Sequence, residues 1–116
     1  MRKLDANRIG IDTGRVILFS DFESGGEMWA GHGPREKRVT ILFDGIFLDP
    51  PVVQVSIDMW DMDQKANMRA DILADNITRE GFEIVFKTWG DTRIARIRAN
   101  WMAIGDVKND DDWEID

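Results

Sequence analysis

Cysteine is absent from this 116-residue chain, which excludes disulfide staples, thiolate catalysis and thiolate-bound zinc together. Histidine occurs once, as His32, and no serine lies in a recognisable nucleophile context, so serine–histidine hydrolysis has no framework. No apolar run approaches the length of a membrane span, and membrane insertion is not expected. The opening MRKLDANRIGID has two early basic residues but no apolar stretch behind them, so no secretory signal is read. Cytoplasmic residence, non-classical export and association with a virion are the expected alternatives. Basic residues are outnumbered, 15 against 22 acids, for a formal net charge of −7. That balance repels polyanions and speaks against nucleic acid as a partner, although Arg93, Arg96 and Arg98 cluster.

What remains is a globular composition, 43% hydrophobic and 32% charged, spread along the chain. One domain over residues 1–116 is expected, with its core at about 8–107 and an acidic tail over 108–116 ending in NDDDWEID. Alternation with period two runs through the chain. REKRVTILF at 35–43 places Val39, Ile41 and Phe43 on one face, and VVQVSIDMW at 52–60 does the same with Val53, Val55 and Ile57. MRADILADNIT at 68–78 alternates Met68, Ala70, Ile72 and Ala74 against Arg69, Asp71, Leu73 and Asp75, with helix as the competing reading. Glu80-Gly81 turns the chain into FEIVFKT, and the last strand sets Ile97, Ala99, Trp101 and Ala103 inward. RVILFS at 15–20 makes a sixth. Short strands, turns between them and no convincing helix predict an all-β fold, a six-stranded antiparallel sandwich.

The longest strand-free stretch, DFESGGEMWAGHGP at 21–34, holds His32 and an unexplained Met28-Trp29 pair. Loops of this length without structure are more often functional or mobile than accidental. Asp58, Asp61 and Asp63 offer oxygen ligands without the glycine and terminal glutamate of a calcium loop, which favours a solvated strand end over a metal site. Asn76-Ile77-Thr78 is a glycosylation triplet that, without a secretion signal, reads as a chance match. Trp101 belongs to the core by its phase. Trp89, directly before Gly90-Asp91-Thr92, is either a turn staple or an exposed aromatic platform suited to the C–H face of a sugar ring. Arg69 is either an ordinary surface ion pair with Asp71 or a fork of donors for hydroxyl oxygens.

Taken jointly, PPVVQVSI at 50–57, the spaced Asp61, Gln64, Asn67 and Arg69, Glu80-Gly81-Phe82, TW-DT at 88–92 and NWMAIG at 100–105 resemble the H-type lectin domain family. The resemblance covers roughly residues 35–105. It implies a sandwich that assembles as a homotrimer and binds glycans, galactose or N-acetylgalactosamine, at the subunit interfaces, with no cofactor or metal and no catalysis. Arg69 and Trp89 fall where that family has its sugar-contacting arginine and tryptophan. Gly90 stands where a family histidine adds a side-chain contact, and His32 and Ala30 stand where the family supplies an aspartate and a glycine. His32 is then either a substitute that makes binding pH-sensitive or a surface histidine of the loop. The alternative to a lectin is a trimeric structural module, in a virion or surface assembly, without sugar affinity.

Overall fold

The alternating segments fold as two three-stranded antiparallel sheets in the computed structural model, which describes residues 1–108. The remainder of the acidic tail, 109–116, lies outside the described residues. In chain order the elements are β1 (Ile9–Ser20), α1 (Glu27–Ala30), β2 (Arg35–Leu42), β3 (Val52–Met62), β4 (Asp71–Asp75), β5 (Gly81–Thr88) and β6 (Ile94–Asp106). One sheet has the order β1-β6-β3 and the other β2-β5-β4, every neighbouring pair antiparallel. The two faces with the expected inward phase meet between the sheets. Ile97, Ala99, Trp101 and Ala103 of β6 pack with Phe82, Ile84 and Phe86 of β5, and Val53, Val55 and Ile57 of β3 close the side. Each large side chain so buried contributes roughly 1.5–3 kcal/mol.

Trp101 anchors this layer, as its phase predicts. Its ring lies edge-on to Phe82 at 5.5 Å between centroids and tilted against Phe43 at 5.9 Å. The indole reaches under β1 at Gly14, its register partner, where a Cβ would stand 2.5 Å from the indole nitrogen. This explains why β1 begins six residues earlier than alternation alone suggests. Its first half carries Gly10, Asp12 and Gly14 at the inward positions and isoleucines at the outward ones, so apolar residues mark the wrong face.

Two further expectations are corrected. The strand read over 68–78 is confined to Asp71–Asp75, and Met68 is 64% exposed instead of inward. The loop at 21–34 contains a helical turn, α1, whose Met28 is buried in the core. Asp21 closes that turn: its Oδ2 accepts the Met28 N–H at 3.0 Å and its carbonyl accepts the Gly26 N–H at 3.0 Å. Trp29 packs edge-on to Phe22 at 4.8 Å, with the Arg93 guanidinium 4.3 Å over its ring.

Gly14→Ala is expected to lower unfolding stability by about 1–3 kcal/mol, because the added methyl meets a ring that the core prevents from retreating. Urea denaturation followed by tryptophan fluorescence checks this. An unchanged midpoint would mean that Trp101 is not held as described.

Candidate functional site

The chain reversal between β5 and β6 is built from Thr88 and Thr92, the two threonines of the TW-DT motif, to which sequence alone assigns no role. Thr88 continues the inward phase of Phe82, Ile84 and Phe86, and Thr92 is likewise fully buried. Their hydroxyls capture the segment before β4. Thr88 Oγ1 donates to the Arg69 carbonyl at 2.6 Å, Thr92 Oγ1 donates to the Asn67 carbonyl, and Thr92 Oγ1 accepts the Arg69 N–H at 3.1 Å. Side-chain hydroxyls thus replace ladder partners at residues 67–69, which is the physical reason that β4 starts only at Asp71.

Held by its backbone, Arg69 projects over the reversal. Its partner is Asp91, not Asp71: Nη1 donates to Asp91 Oδ1 at 2.6 Å. Asn67 adds its backbone and side-chain N–H groups to the same carboxylate. The Arg69 guanidinium, followed by the Asn67 amide, holds the Asp91 carboxyl below the usual carboxylate range. Gly90 passes under the guanidinium with φ +69°, and a Cβ there would stand 2.9 Å from Arg69 Nη1. The left-handed backbone favours glycine here, and any side chain would oblige the end of Arg69 to shift. Trp89, next in the chain, is 45% exposed.

A second arginine ties the long loop to this turn. Arg35 opens β2 in the inward phase and is 6% exposed. Its Nε donates to the Gly33 carbonyl at 2.9 Å, Nη1 to the Glu27 and Met28 carbonyls at 3.2 Å each, and Nη2 to the Gly90 carbonyl at 3.3 Å. Gly33 also donates its N–H to the Gly90 carbonyl at 2.9 Å. The signal available in sequence was a charge on the core phase of REKRVTILF, since a buried guanidinium must find acceptors.

The structure therefore brings Arg69, Trp89 and Gly90 together and seats the 31–33 backbone against them. His32 and Ala30 are on the flank of that loop, and both are exposed. The three aspartates weighed as oxygen ligands are taken instead by the three clustered arginines, in an antiparallel ladder. Asp58 pairs with Arg98 at 2.8 Å, Asp61 with Arg96 at 3.5 Å and Asp63 with Arg93 at 3.5 Å. Among the described residues no helix is long and apolar enough to cross a membrane.

The H-type lectin domain model matches residues 38–104, which span β2 to β6. This chain belongs to the H-type lectin domain family. A protein of Fuscovulum blasticum designated ATP synthase subunits region ORF 7 is 58% identical over 116 residues, the whole of both chains. A discoidin-1 polypeptide of Dictyostelium discoideum is 34% identical over 74 residues, 63% of this chain and 29% of its own length. The native structure of recombinant discoidin II from the same organism superposes with a TM-score of 0.76 over 93% of this chain, at 23% identity, which is a likeness of fold. The chain spans only 41% of that discoidin. Membership of an H-type lectin family makes this a carbohydrate-binding type of domain, and the family is not one of enzymes.

Two outcomes are expected from this geometry. Arg35→Met leaves the Met28 and Gly33 carbonyls without this donor and should cost about 2–4 kcal/mol in urea unfolding, with faster amide exchange across 27–33. Wild-type exchange rates in that variant would refute the pinning. For Asp91, a folded pKa held below the unfolded value means that its stabilising contribution is present above about pH 4 and is lost as pH falls through the folded pKa. Carboxyl-resolved NMR titration should find Asp91 ionised throughout pH 5–7, and Asp91→Asn should remove part of the acid sensitivity of unfolding.

Proposed function

We propose that the chain is a single-domain homotrimeric lectin that binds galactose- or N-acetylgalactosamine-type glycans at its subunit interfaces. Arg69 and Trp89 of one chain would meet loop residues of a neighbour, with Ala30 and His32 the candidates. The observation that carries this reading is the Arg69 fork, clamped by Asp91 and seated on Gly90, beside a half-exposed indole. A clamped guanidinium presents fixed donors to hydroxyl oxygens while an aromatic face takes the apolar side of the ring. The absence of a side chain at Gly90 leaves the polar grip to Arg69, Asn67 and Asp91.

Support for assembly comes from the outer face of the β1-β6-β3 sheet. Register places Ile11, Ile104 and Val52 in one row across it, and Ile11 and Val52 are 64% and 55% exposed. Ile9, Ile17 and Met102 are also exposed large apolar residues of these strands. A sheet face facing water normally alternates to polar side chains, so this one suits burial against other copies. A shallow site for one sugar is weak, with Kd about 1 mM or roughly 4 kcal/mol. Three sites on one rigid trimer raise avidity by about 10² to 10⁴ when glycans span them, which makes assembly part of binding. No catalytic role, metal or cofactor is assigned.

The test is a glycan array probed with wild type and Trp89→Ala, after sedimentation equilibrium has given a mass of three chains for both. Selective wild-type signal that the variant loses is expected. A blank array from a verified trimer would point to the structural module, and a mass of one chain would remove the intersubunit site.

A further inference from the structure

On the side of Trp89 formed by β2 and β5 lies a groove of about 450 Å³. Its apolar walls are Trp89 and Pro34, and Glu36 and Lys87 provide its polar margin. Arg35 also lines it, but its guanidinium donates to the carbonyls of the 27–33 loop and to Gly90, so it serves as wall and floor. The two polar groups differ in how they are held. Glu36 Oε2 accepts from Arg38 Nε at 3.1 Å, which fixes the carboxylate and leaves Oε1 directed at Lys87 Nζ, 3.8 Å away. That separation is long for a charge-assisted hydrogen bond, which closes to about 2.7–2.9 Å.

We propose that this groove is a second sugar subsite, which takes the neutral hexose adjoining the one bound at Arg69 and Trp89. The inference rests on the reading of Trp89 as the wall of a sugar site. The C–H face of the second ring lies on Trp89 and Pro34. Two neighbouring hydroxyls enter between Lys87 and Glu36, one accepting from the ammonium and the other donating to the carboxylate. Each makes a charge-assisted bond where the side chains alone make a stretched one.

Charge decides the class. Across the sheet Lys87 has Glu36 as its register partner on β2 and Asp71 on β4, one ammonium between two carboxylates. A uronic or sialic acid would find no cation there free to receive it, because Arg35 is committed to backbone carbonyls, Arg38 to Glu36 and Asp75, and Lys87 lies between Glu36 and Asp71, on a chain whose net charge is −7. A neutral ring needs only the alternating donor and acceptor that the row supplies. The preferred ligand is accordingly a neutral oligosaccharide and not a terminal acidic one.

Calorimetric titration of the assembled wild type with galactose, with α1,3-, α1,4-, β1,3- and β1,4-linked digalactosides, and with a sialylated galactoside tests this. At least one digalactoside should bind about tenfold tighter than galactose, and the sialylated compound should show no gain. In Lys87→Met and in Glu36→Gln the ratio of disaccharide to galactose affinity should fall toward one. Galactose binding that depends on Trp89 but gains nothing from any second neutral ring overturns the subsite alone. A larger gain for the sialylated compound overturns the charge argument and the neutral class with it. A trimer that binds none of these sugars overturns the Trp89 site and the groove together.

Discussion

The buried guanidinium of Arg35 is the contact on which the arrangement at this end of the sandwich depends. A cation taken out of water must satisfy its donors, and the carbonyls that do so come from three places in the chain: α1, the 31–33 loop and the β5–β6 reversal. One side chain therefore fixes the position of a loop that carries almost no regular structure of its own. The threonine hydroxyls at 88 and 92 do the same for residues 67–69 from the other side. The backbone of Arg69 and of the Trp89-Gly90 turn owes its placement to these inner bonds.

Electrostatics on the β1-β6-β3 sheet follow a related logic. A chain with clustered arginines and clustered aspartates resolves both by running them antiparallel on neighbouring strands, 58, 61 and 63 against 98, 96 and 93. A bulge in β3 at Asp58 and one in β6 at Ala95 keep the two sets in step despite their unequal spacing. Asp58 also accepts from Arg15 of β1 at 2.8 Å, so its charge bridges all three strands of the sheet. The Arg98 hydrogen bond, ahead of Arg15, holds that carboxyl below the usual range. These aspartates and arginines neutralise one another, so they form neither a cation site nor a free basic patch.

Much of this was legible in the sequence. Inward phases in β2, β3, β5 and β6 follow from alternation because those strands repeat apolar residues at every second position on the core side. β1 was half hidden because its pattern is inverted: glycine and aspartate face in where Trp101 fills the space, and isoleucine faces out. The segment at 68–70 has the alternation of a strand but spends its backbone groups on threonines, a pairing that no periodicity can reveal. Arg69, Trp89 and Gly90 were found through their resemblance to a family and do lie together. The acid beside Arg69 was misassigned to Asp71, two residues away on the same face, because only the folded reversal brings Asp91 across from another strand. Arg35 and Thr88 were in principle visible as polar residues on a core phase.

Gly90 has a consequence for how such a site can change. Its left-handed backbone and the arginine lying across it make positions 69 and 90 a single unit: any side chain introduced at 90 arrives where the guanidinium already is. A side chain at 90 displaces the end of Arg69 from its present position, and a short residue at 69 leaves Asp91 without its counter-ion. Exchange between a glycine and a side-chain donor at this place therefore requires the arginine to reorient. The turn therefore couples its two residues: the place of the arginine depends on what stands at 90.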